Sequence, residues 1–281
     1  MAYDCFDVDV TDGVAHLVLK RGDELNTMTP AFWRELPEIV DRLSTSGEAR
    51  ALVLSSTGKH FTAGMDLSVF TEGGLLPRGS GGGELGRQRV QIRQVAALLQ
   101  DSFTALERAR MPVLAAIQGG CIGGGVDMVS ACDCRYATTD AFFSIMETNI
   151  GMTADVGTLQ RLPKIIPEGI AREYAYTGRR LTAQRALEVG LVNELFDDHD
   201  ALVAGVLAIA GEIAAQSPLA VWGTKEMITY SRDHSVADGL NYIATWQTGM
   251  FQGADMMEAF AARAEGRPPV YEDLLPEPGF D

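Results

Sequence analysis

Two short apolar runs, ALVLSS at 51–56 and VLAAIQG at 113–119, each lead within a few residues into a glycine-bearing turn. No other feature constrains the fold of this chain as much. Runs this short and this uniformly apolar read as strands buried on both faces, which is the pattern of a parallel sheet covered by helices. The surrounding elements agree. Residues 5–10 and 14–19 flank Thr11-Asp12-Gly13 as a hairpin, and Thr29-Pro30 opens a helix with Thr29 as its cap. A long amphipathic stretch from about Gln88 to Arg110 stops at Met111-Pro112, and RYAT and AFFSI follow as strands. This βα alternation implies an α/β core with a mostly parallel sheet.

The two glycine turns carry the chemistry. In KHFTAGMDL (59–67), Gly64 permits an unusual backbone angle, and the next N–H, that of Met65, can then point into a cleft at the strand's C-terminal end. An ordinary turn with Asp66 as a helix cap fits equally well. GGCIGGGVD (119–127) also follows a buried strand and also opens a helix, where N–H groups lack partners and the helix dipole favours an anion. Two such turns from neighbouring parallel strands can each give one N–H to a single oxygen, which makes an oxyanion hole.

Three carboxylates accompany the turns. Asp127 lies one turn into the helix, Glu147 follows in AFFSIMETNIG, and Asp155 in MTADVGTLQR. Each has an ordinary alternative: a first-turn acid for Asp127, a solvated loop acid for Glu147, an N-cap for Asp155. Placed together around the glycine turns, they read as acid/base groups beside a stabilised oxyanion.

Beyond residue 155 the pattern becomes helical: 157–162, 167–177, 182–189, 199–216, 218–231, 235–252 and 254–265, interrupted by a short strand in 191–196. Asp197-Asp198-His199-Asp200 marks a boundary, giving a core over 1–197 and a helical region over 198–281. The segment 73–86 is glycine-rich and reads as a mobile surface loop. Its Gly81-x-Gly83-x-x-Gly86 has neither the preceding strand nor the distant acid of a dinucleotide site.

A net charge of −15 with no basic stretch argues against a nucleic-acid partner. No apolar run reaches membrane-spanning length, and neither end of the chain resembles a targeting signal, so a cytoplasmic location is expected. Cys5, Cys121, Cys132 and Cys134 read as reduced thiols, and no histidine pair has metal-ligand spacing.

KHFTAGMDL and GGCIGGGVDMVSACD resemble the two oxyanion segments of the crotonase (enoyl-CoA hydratase/isomerase) superfamily, and the resemblance extends over almost the whole chain. It implies a spiral of ββα units with C-terminal helices used for homotrimers or homohexamers. It places oxyanion donors at the Met65 and Gly124 N–H groups and substrate contacts at Ala63, Gly64, Asp66, Leu67 and Gly123. Hydratases carry two glutamates where this chain has Asp127 and Glu147, and a glycine where it has Asp155. GGGVD, the glutamate twenty residues on and ADVGTLQRLPK are similar to the Δ3,5-Δ2,4-dienoyl-CoA isomerase subfamily, as is YSRDHSVADGLNYIATW (230–246). That resemblance implies an acyl-CoA substrate and catalytic roles for Asp127, Glu147 and Asp155. It implies no metal or redox cofactor, coenzyme A being part of the substrate. Hydration, a shorter double-bond shift and a non-catalytic binding role are the competing readings. In place of a lysine-rich C-terminal helix, AARAEGRPP leaves Arg263 and Arg267 as candidates for the coenzyme A phosphates.

Overall fold

The structure is a computed structural model that describes residues 2–66, 69, 85–251 and 253–279. Strands β1 (Phe6–Thr11) and β2 (Val14–Leu19) form the expected hairpin, with Asp12 and Gly13 both at positive φ in the turn. Helix α1 (Pro30–Ser46) follows, and the Thr29 side chain accepts the Phe32 N–H as predicted for a cap. Next come β3 (Ala51–Ser56), α2 (Leu85–Arg108), β4 (Val113–Ile117), β5 (Gly120–Ile122) and α3 (Gly124–Ser130). The chain continues through β6 (Cys134–Thr138), β7 (Phe142–Ser144), α4 (Thr158–Ile165), α5 (Glu168–Thr177), β8 (Leu181–Thr182), α6 (Ala183–Glu188) and β9 (Glu194–Phe196). Four helices close it: α7 (His199–Ala214), α8 (Pro218–Asp233), α9 (Val236–Met250) and α10 (Gly253–Glu265). Of the glycine-rich segment expected as a mobile loop, 73–84 lies outside the described residues, and Leu85 and Gly86 open α2.

The main sheet runs β1-β2-β3-β4-β6-β9, parallel throughout except for the β1–β2 hairpin. A second sheet, β5-β7-β8, stands beside it and carries the second glycine turn. Every residue of β3 and β4 is buried, because both sheet faces are covered. Alternation along β3 divides its side chains between two layers. Leu52 and Leu54 join Phe32, Leu36, Ile39 and Leu43 of α1, whereas Ala51 and Val53 join Leu202, Val206 and Ala210 of α7.

That second layer is supplied from beyond the boundary expected at residue 197: helix α7 packs against one face of the main sheet. The polar run that suggested a linker is a helix start, with Asp198 accepting the Ala201 N–H. The apolar character of α7 reflects this burial, and no single described helix is long and apolar enough to cross a membrane.

Helices α8–α10 lie further out but are tied to the core. Lys225 of α8 is buried, donates to the Leu106 and Met111 carbonyls and pairs with Asp133 at 2.9 Å. After α10 the chain returns across the C-terminal end of α1. Arg50 holds the Tyr271 carbonyl and the Asp273 carboxylate, and Arg110 holds the Leu275 carbonyl. The four cysteines are unpaired thiols, three of them buried.

Candidate active site

The first glycine turn is fixed from both sides. Met28 and Met65 form a parallel bridge in which Met28 N–H donates to Gly64 O and Asp66 N–H donates to Met28 O. Thr62 bridges Cys121 in the other direction, with Thr62 N–H bonded to Gly120 O and Ile122 N–H bonded to Thr62 O. By strand alternation, the Met65 N–H points away from Met28 and toward the side on which 120–124 runs. Gly64 has φ +87°, and a Cβ built there would lie 2.7 Å from Ile122 O and 3.4 Å from Gly124 N. The two turns therefore touch at the residues that bear the expected donors.

The second turn is equally constrained. Gly123 has φ +53° and ψ −118°, a conformation that a side chain opposes, and its own N–H is used by Ser144 O at 2.9 Å. Gly124 is the first residue of α3, so its N–H has no partner within the helix. His60, given no catalytic role in the sequence, supports this turn by accepting the Gly120 N–H at Nδ1. Partial burial and the charges of Lys59 and Arg180 hold its pKa below the ordinary value, which keeps a lone pair available there.

The three carboxylates occupy different environments. Asp127 is 1% exposed, and its Oδ1 accepts the Thr158 N–H at 2.6 Å. Burial pushes its pKa up to about 6 against the hydrogen bonds from Thr158. Glu147 opens a 3-10 turn, Glu147–Ile150, and is half-buried, with Oε2 enclosed and without a hydrogen-bond partner. A Cβ built on Gly123 would lie 3.4 Å from Glu147 Oε1, so this carboxyl stands directly beside the second glycine turn. Burial first, then the charge of Asp127, raise its pKa to about 7, and the charge of Asp155 adds to the rise.

Asp155 is exposed. The helix-cap alternative does not hold for it: the N-cap of α4 is Gly157, and Asp127 takes the Thr158 N–H that such a cap would serve. The Asp155 carbonyl accepts from Gln100 of α2 at 2.7 Å. Its charge acts on both Asp127 and Glu147, which places all three acids in one electrostatic cluster.

The remaining expected contacts separate. The Ala63 N–H is committed to Leu25 O, and the Asp66 carboxylate accepts from Thr27 Oγ1. Leu67 lies outside the described residues. Arg267 is paired with Glu258 and Glu265, which leaves it poorly placed to serve a phosphate.

Known proteins resemble this chain in sequence and in fold. The sequence profile described as Enoyl-CoA hydratase/isomerase matches residues 9–274. This chain belongs to the enoyl-CoA hydratase/isomerase family. The "Delta(3,5)-Delta(2,4)-dienoyl-CoA isomerase, mitochondrial" of Homo sapiens is 44% identical over 255 residues, spanning 90% of this chain and 77% of that protein. The peroxisomal protein of the same name from Arabidopsis thaliana is 41% identical over 261 residues, 93% of each chain. Among solved structures, an enoyl-CoA hydratase from Bacillus anthracis superposes with a TM-score of 0.83 at 30% identity, covering 95% of this chain and 99% of its own. The crotonase fold expected from the sequence is therefore the fold observed. The expected cytoplasmic location gains no support, since these relatives are named as mitochondrial or peroxisomal.

Proposed function

We propose that this enzyme converts 3,5-dienoyl-CoA to 2,4-dienoyl-CoA. The observation that carries the reading is the third acid. Asp155 acts electrostatically on the half-buried Glu147 and the buried Asp127 while itself exposed, and relatives named for this isomerisation are 41–44% identical over nine-tenths of the chain.

The thioester oxygen sits between the Met65 and Gly124 N–H groups, which stabilise the charge that develops as the α proton leaves. Glu147, next to Gly123, takes that proton, and a carboxyl poised near neutrality is suited to the task. The electron pair moves along the diene, and the ε carbon takes a proton from Asp155. The α and ε carbons are four bonds apart, about 5 Å in an extended chain, so two acids serve the two ends better than one. Asp155 is exposed in the free protein, where it faces solvent. Glu147 returns its proton, and Asp155 regains one, by exchange with water or with each other. Nothing is oxidised or reduced, so the reaction calls for no redox cofactor, and coenzyme A enters with the substrate. Asp127 raises the basicity of Glu147 through its charge and anchors α4.

The same reading includes a homotrimer, or a hexamer built from two. It is supported by Ile228, Leu240, Phe251 and Phe260 on α8–α10 and the turn between them, apolar side chains 60–68% exposed in the single chain. Leu240→Glu should shift the mass seen by light scattering toward the monomer.

The deciding assay offers 3,5-dienoyl-CoA, 2-enoyl-CoA and 3-enoyl-CoA thioesters of several lengths to the wild type and to Asp155→Asn. Formation of the conjugated diene by the wild type, nearly abolished in Asp155→Asn, is expected. Wild-type rates in that variant would remove the two-acid mechanism, and hydration of 2-enoyl-CoA as the main activity would replace it.

A further inference from the structure

We propose that Arg161 is a positioning residue for Asp155, holding the four-residue segment 155–158 through an ion cluster that joins α2, α4 and α8. The inference rests on the catalytic reading of Asp155. The Arg161 side chain is 12% exposed, and its Nη2 lies 3.1 Å from Glu107 Oε2 and 3.2 Å from Thr104 Oγ1, both on α2. Glu107 also binds Arg232 of α8, whose neighbour Asp233 pairs with Lys164 of α4. Burial opposes the charge on Glu107, but the hydrogen bond from Arg232 and the charge of Arg161 outweigh it and hold its pKa below the ordinary range.

This cluster abuts the backbone that carries Asp155. Gly157 sits at φ +136°, and a Cβ built there would collide with the Arg161 guanidinium, so the flat cation occupies the space over its Cα. Two further holds act on the same segment: Gln100 on the Asp155 carbonyl and Asp127 on the Thr158 N–H. Asp155, Glu107, Arg161 and Arg232 line one cleft of about 320 Å³. An exposed carboxylate on a free loop would sample many directions. Here the loop is fixed from α2, α3 and α4, which leaves Asp155 little freedom beyond its own side-chain torsions.

Stability alone does not account for the arrangement well, because a buried ion pair adds little net stability over an apolar replacement. It does account for geometry, where a displacement of about 1 Å can cost on the order of a hundredfold in rate.

The two half-reactions allow a test. Exchange of the α hydrogen with deuterium from solvent needs Glu147 and the oxyanion hole, whereas diene formation needs Asp155 as well. Arg161→Lys keeps the charge and removes the flat group over Gly157. Gln100→Ala removes one hold at an exposed position of α2 and leaves the ion cluster intact. Arg161→Lys is expected to lower diene formation about tenfold or more while α-hydrogen exchange stays within about twofold. Gln100→Ala should shift the same ratio in the same direction by a smaller factor, with an unchanged melting temperature. Equal loss of exchange and turnover in both variants would overturn the inference, as would unchanged turnover in both. Full turnover in Asp155→Asn would overturn the catalytic reading itself, and that variant reports it separately.

Discussion

Asp127, on α3, accepts the backbone N–H of Thr158, the first residue of α4, at 2.6 Å. One carboxylate thereby joins the helix that starts at the second glycine turn to the helix that starts after Asp155. Its position is structural and its charge is chemical: the same group that anchors α4 raises the pKa of Glu147.

Asp127 variants should separate these two roles. Asp127→Asn retains an oxygen for the Thr158 N–H but loses the charge, so Glu147 should titrate at lower pH. The basic limb at which kcat/KM becomes constant should then move to lower pH than in the wild type. Asp127→Ala also strands a buried N–H, and urea denaturation should show a loss of about 1–3 kcal/mol relative to Asp127→Asn.

Glu147 governs a pH dependence of stability. Its folded pKa, about 7, lies above the ordinary value of 4.5, so the folded state binds the proton more tightly than the unfolded chain does. The stabilisation from protonation is fully present below the unfolded pKa and is lost as pH rises through about 7. Glu147→Gln, which mimics the protonated form, should therefore melt about 2–4 °C higher than the wild type at pH 8, corresponding to about 1 kcal/mol. At pH 4 the two should melt together. Diene formation should be lost in the variant at every pH.

Gly123→Ala tests the second turn. A side chain at φ +53° costs about 1–3 kcal/mol, and the new methyl would stand in van der Waals contact with Glu147 Oε1 at 3.4 Å, on the side that faces the turn. Thermal melting should show the first effect. A fall in kcat beyond about tenfold should show the second, whereas a stability loss with unchanged kcat would mean that Glu147 is not at the reacting centre.

Arg50→Met should release the C-terminal segment. Arg50 holds the carbonyls of Ala214 and Tyr271 and the Asp273 carboxylate, and no apolar side chain can replace those bonds. Faster proteolytic cleavage and faster amide exchange are expected over 271–277, with β3 and β4 unaffected.

Much of the molecule was legible in the sequence, for identifiable reasons. Strands β3 and β4 announce themselves because both sheet faces are covered and each run is apolar throughout. The hairpin and the Thr29 cap depend on neighbours within a few positions, where local chemistry decides the conformation. The two glycine turns were recognisable because each follows a buried strand and opens toward unpaired N–H groups. The layer formed by α7 was not legible, since a polar cap and a polar linker are written with the same residues and only packing tells them apart.

The sequence by itself thus determined the parallel core, the two glycine turns and the presence of three acids near them. Tertiary structure decided the surroundings of each acid. It gave the helix-capping position to Asp127, 31 positions away from its partner, and left Asp155 exposed. It buried the unpaired Glu147 oxygen and brought Arg232 to Glu107 across 125 positions. Burial and long-range charge set proton affinity, and both are properties of the assembled layers, absent from any local stretch of residues.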